Sequence, residues 1–92
     1  MSGKIYRDIQ LRENSFFRVF ELNELDDDEL HWHRDHNDRE VYVVCGKGWK
    51  FQKENKMPIE LIEGDVININ KMDYHRLIKG KTNLILKIVE EI

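Results

Sequence analysis

The chain has little with which to cross-link or anchor itself. Its single cysteine, Cys45, cannot form an internal disulfide, which fits a reducing compartment. The only proline, Pro58, ends the polar stretch Lys53 to Pro58, which reads as a hairpin tip. No apolar run approaches the roughly 20 residues a membrane-spanning helix requires. The first residues lack the basic-then-apolar order of a secretion signal, so a cytoplasmic protein with no membrane partner is expected. Charge of one sign is also missing. The 15 basic and 18 acidic residues are interspersed and leave a net charge of −3, which argues against a nucleic-acid partner. The clearest charge run, Glu24 to Glu29, reads as a solvated acidic loop. No long segment keeps a helical period, and internal repeats and low-complexity linkers are absent.

What is present is a period of two. The 92 residues are read as one domain, 1–92, with room for a single core. Between Asn14 and Leu22, Phe16, Arg18 and Phe20 alternate with Phe17, Val19 and Glu21. Glu40 to Val44 is short and β-branched, and Gly46-Lys47-Gly48 turns the chain before Trp49, Lys50 and Phe51 resume the alternation. Ile59, Leu61 and Ile62 lead to a second turn at Gly64-Asp65, followed by strands at Val66 to Asn70 and around His75, Leu77 and Ile78. The last strand, Leu84 to Glu91, sets Leu84, Leu86 and Ile88 on one face and Ile85, Lys87, Val89 and Glu91 on the other. Many short strands at regular turn spacing predict an all-β sandwich or barrel.

Histidine supplies the chemistry. His31 and His33 stand at i and i+2, so an extended backbone aims both imidazoles to one side. With Glu40 and the later His75 they offer three imidazoles and a carboxylate, a donor set for iron, manganese, cobalt, nickel, copper or zinc that leaves one or two positions open. An exposed, solvated histidine-rich loop is the bland alternative for His31 to Arg39. Tyr42, two residues beyond Glu40, is a candidate catalytic phenol for the same cavity. Cys45 has the opposite parity and is expected to face away from the cavity, and Trp49 and Phe51 to form barrel wall.

From about Phe16 onward the chain resembles the cupins, small jelly-roll β-barrels. The family's first motif has two histidines one residue apart, a glutamate after three or four more residues, and a glycine six residues beyond. The nearest matches are His31, His33, Glu40 and Gly46, although six residues separate His33 from Glu40 and five separate Glu40 from Gly46. Asp38 keeps four residues after His33 but has seven before Gly46. Glu40 is preferred because it opens the β-branched run and reaches farther. In a shifted register His33 is the first ligand and Asp35 takes the second histidine's place, with four residues left before Glu40. His36 then stands next door and His31 is a bystander. The second motif runs glycine, proline, glycine, histidine, asparagine; at those places stand Gly64, Asn70, Met72, His75 and Lys79. The histidine spacing is kept, and the turn before it is expected to be reshaped.

The resemblance implies a cupin-type jelly roll binding a divalent transition metal through His31, His33, Glu40 and His75. It allows a metal-dependent enzyme acting on a small oxygen-rich metabolite, as a dioxygenase, isomerase or related activity, or else a non-catalytic binding module. It also points to a homodimer paired through sheets. The apolar Ile85 and Val89 on the second face of the last strand support that expectation, unless Ile5 to Leu11 folds back over the same face.

Overall fold

Eight antiparallel strands make two facing sheets in the computed structural model, which describes residues 6–22 and 30–91. They are β1 (Arg7–Arg12), β2 (Ser15–Phe20), β3 (Arg39–Cys45), β4 (Lys50–Lys53), β5 (Ile59–Glu60), β6 (Val66–Ile69), β7 (His75–Ile78) and β8 (Leu84–Glu90). The larger sheet has the order β1-β2-β8-β3-β6, the smaller β5-β4-β7. The last strand therefore lies in the middle of the large sheet, between two strands from the first half of the chain. No described helix is long and apolar enough to cross a membrane. The Glu24 to Glu29 run lies outside the described residues.

Alternation sorts the side chains between an inside and an outside. One row across the large sheet, Gln10, Phe16, Ile88, Val41 and Ile67, faces the smaller sheet. The next row, Ile9, Phe17, Lys87, Tyr42 and Val66, faces outward. Trp49 is fully buried and donates its indole N–H to the Thr82 carbonyl at 2.7 Å, and Phe51 is buried beside it on β4, so both are barrel wall as expected. Gly80 makes that packing possible: a Cβ there would come within 2.5 Å of the Lys47 carbonyl oxygen and the Trp49 backbone nitrogen.

Two expectations need correction. Arg7–Arg12 pairs edge-on with β2 and widens the sheet, so this segment does not fold back over Ile85 and Val89; Ile5 lies outside the described residues. On β3 it is Val41 and Val43 that are buried, at 4% and 3% exposure, which turns Glu40, Tyr42 and Val44 to the outer face. A bulge between Val43 and Cys45 leaves Cys45 half-buried and out of the cavity lining.

Candidate metal centre

Residues 31–35 run beside the start of β7. His33 N donates to His75 O at 2.9 Å, His75 N returns to His33 O at 3.0 Å, and Met72 N donates to Asp35 O at 2.8 Å. Extended backbone puts His31, His33 and Asp35 on the cavity side of this segment. His33 Nε2 lies 3.8 Å from Asp35 Oδ1, and His75 Nε2 lies 3.3 Å from Asp35 Oδ2. One donor atom from each of the three side chains falls within 4.8 Å of the others. Donors at about 2.0–2.2 Å from one ion stand roughly 3–4 Å apart, so small side-chain movements close this site on a metal.

The tautomers strengthen the case. His33 Nδ1 is 3.0 Å from the His31 carbonyl oxygen and His75 Nδ1 is 2.8 Å from that of Asp73. A carbonyl only accepts, so each Nδ1 carries a proton and each ring turns its Nε2 toward the Asp35 carboxylate. Asp35 Oδ2 is buried and has no hydrogen-bond partner among the described residues. Two ring nitrogens and a buried carboxylate converge on one point, a nitrogen and oxygen donor set that suits a divalent transition metal. The residues present therefore fit a divalent metal.

Arg39 completes the surroundings. Its Nη1 lies 3.3 Å from Asp35 Oδ1, while Nη2 and Nε hold Glu90 at 2.8 and 2.9 Å. Burial pushes the Asp35 carboxyl up, but the His75 ring, the Arg39 guanidinium and His33 outweigh it and hold the group below the usual carboxylate value.

Of the residues expected from sequence, His33 and His75 come together and His31 and Glu40 do not join them. The exposed His31 imidazole lines the cavity outside the three-residue group, and its backbone carbonyl orients His33. Glu40 stands on the outer face, where its carboxylate accepts the Tyr42 hydroxyl proton; that bond raises the Tyr42 phenol above its ordinary value and keeps it out of the cavity. Asp38 caps the turn before β7 by accepting from Lys71 N at 2.6 Å, and His36 is exposed. The carboxylate comes instead from Asp35, which the shifted register put in the second histidine's place while keeping Glu40 as a further ligand. With three residues between it and Asp35 and six between it and Gly46, Arg39 stands at the carboxylate position of the first motif, so a cation occupies that place.

The three donors open onto a cavity of about 360 Å³ between the sheets, walled mainly by apolar side chains such as Val41, Phe51, Leu61 and Leu86. That volume is at the small end of the roughly 300–1,000 Å³ found for small-molecule sites.

No protein-family model matches the sequence, and no curated protein does. Solved structures do match. A cupin domain from Bordetella pertussis superposes with a TM-score of 0.64 at 15% identity, over 98% of this chain and 95% of its own. An RmlC-like cupin with a double-stranded β-helix fold from Methanocaldococcus jannaschii gives 0.68 at 14% identity, over 96% and 79%. The chain has the cupin fold. The DMSP lyase DddQ from Ruegeria pomeroyi gives a TM-score of 0.69 at 11% identity, over 85% of this chain; the present cupin fold spans 37% of that lyase's length.

Proposed function

We propose that this cupin-fold protein holds one divalent transition metal on His33, Asp35 and His75 and uses the open positions of the ion on a small molecule bound in the barrel. The observation that supports it is the buried Asp35 carboxylate with His33 Nε2 at 3.8 Å from Oδ1 and His75 Nε2 at 3.3 Å from Oδ2, both rings tied to backbone carbonyls through Nδ1. Two imidazoles and one carboxylate with open positions are the donor set of non-haem ferrous oxygenases, so ferrous iron is the ion we assign first, ahead of manganese, cobalt, nickel, copper and zinc. Such an ion supplies Lewis-acid or redox chemistry to a bound ligand. The chain itself orients the rings through the His31 and Asp73 carbonyls and offsets the Asp35 charge with Arg39. A lyase among the fold neighbours makes chemistry on a small metabolite part of this proposal.

A binding module without turnover is the second reading. It is favoured by Arg39, which stands where a carboxylate would serve as further ligand or base. Cytoplasmic location and a homodimer paired through the outer face of the large sheet complete the proposal. Metal analysis of protein purified without an affinity tag tests it. About one ion per chain is expected, and metal-free protein that takes up none of these ions on dialysis contradicts it.

A further inference from the structure

The cavity beside the metal ligands joins a cationic wall to an apolar body, and that combination selects a ligand. Arg18 and Arg39 both line it, from the inner faces of β2 and β3. Arg39 is fully engaged by Asp35 and Glu90. Arg18 is held by Asp8 through Nε and Nη2 at 2.9 and 3.0 Å, and its guanidinium lies 3.7 Å over the Tyr6 ring and 5.2 Å from that of Phe16. Its Nη1 has no hydrogen-bond partner among the described residues, although the side chain is only 13% exposed. Most of the remaining wall, including Val41, Leu61, Ile67 and Leu77, offers no side-chain hydrogen bond. A sugar or polyol seated there would leave buried hydroxyls unpaired, whereas a hydrocarbon is stabilised.

Charge sets the head group. Arg18, Arg39 and a divalent ion face the carboxylates of Asp8, Asp35 and Glu90, which leaves one positive charge over. A monoanion neutralises that charge. We infer that the cavity binds a short aliphatic monocarboxylate, its carboxylate taken by Arg18 and its hydrocarbon lying in the barrel; the inference rests on the metal reading above for its charge count. Burial of each methylene is worth about 0.8 kcal/mol, about fourfold in affinity.

The test is calorimetric titration of zinc-loaded protein, with zinc content measured on the same sample, using butanoate, hexanoate and octanoate, and hexanol and glucose as controls. Affinity is expected to rise about fourfold per methylene, with both controls binding far more weakly than hexanoate. Arg18→Gln is expected to weaken alkanoate binding about tenfold with zinc content unchanged, and Arg18→Lys to recover part of the loss. Zinc uptake with no alkanoate binding, a flat chain-length series, or tighter binding of glucose overturns the ligand inference and leaves the metal site standing. Absence of zinc uptake overturns the metal reading instead. The same titrations on metal-free protein then test the arginine and apolar cavity alone: the methylene series and the Arg18→Gln loss support it, and their absence overturns it.

Discussion

Met72 holds a left-handed backbone, φ 67°, at the place where the second cupin motif has its second glycine. An L-residue there is strained by roughly 1–2 kcal/mol, and the half-exposed side chain recovers little of it by packing. The conformation is fixed because Met72 N donates to Asp35 O at 2.8 Å and Met72 O accepts from Arg34 Nε at 3.1 Å. Both bonds use backbone atoms of Met72 and survive Met72→Gly. That variant is expected to stabilise the fold by about 0.5–1 kcal/mol, after the added unfolded-state entropy of glycine is subtracted; urea unfolding measures it, and a destabilised variant contradicts the assignment of strain. Asp35 carries the second residue-scale prediction. Its folded-state carboxyl is held below the ordinary value of 3.8, so its contribution to stability is complete above that value and is lost as pH falls through the lowered folded one. In metal-free protein, the stability difference between wild type and Asp35→Asn is expected to persist at about pH 5 and to be lost only as pH falls below 3.8. A difference that has already vanished at pH 5 contradicts the direction of the shift.

At the scale of elements, the decisive segment is the one that carries two of the three donors and is not itself a named strand. Residues 31–35 join β7 through one backbone bridge, and their outward side chains add a clasp. The Trp32 ring stacks on Tyr74 with centroids 5.4 Å apart, Arg34 lies 4.5 Å over Tyr74, and Arg76 lies 4.9 Å over Trp32. Each such contact is worth about 0.5–1.5 kcal/mol. Trp32→Ala is therefore expected to weaken metal binding about tenfold through a loosened segment, and Trp32→Phe to restore most of the loss. Unchanged affinity in Trp32→Ala would show that the bridge alone positions His33 and Asp35. Most strands are legible in the sequence because buried positions recur at period two, as Phe16 and Phe20 or Leu84, Leu86 and Ile88 do. β1 is not, since all six of its residues are exposed and no alternation marks it. Two of the three donors, His33 and His75, are legible from the motif spacing. The carboxylate is harder to place, because a slip of one residue on β3 exchanges its two faces and only the burial of Val41 and Val43 decides the parity. The six-residue interval before Gly46 does point to position 39, but an arginine escapes notice when the search is for a metal ligand.

For the whole molecule, the outer face of the large sheet is the unresolved burden. Ile9, Val44 and Val66 are 46%, 45% and 47% exposed there, and Ile85 and Val89 stand half-buried between them. Pairing two copies through this face would remove apolar surface worth about 25 cal/mol per Å². Sedimentation is expected to show a dimer at micromolar concentration and a folded monomer for the Ile85→Lys, Val89→Lys variant; a monomeric wild type contradicts the pairing. The metal site itself turns on whether Asp35 or Glu40 is its carboxylate. Metal-free Asp35→Asn and Glu40→Gln are titrated with ferrous iron under anaerobic conditions beside the wild type. Glu40→Gln is expected to bind one ion per chain as the wild type does, and Asp35→Asn to lose at least tenfold in affinity. Full binding by Asp35→Asn together with loss in Glu40→Gln would contradict the assignment of Asp35.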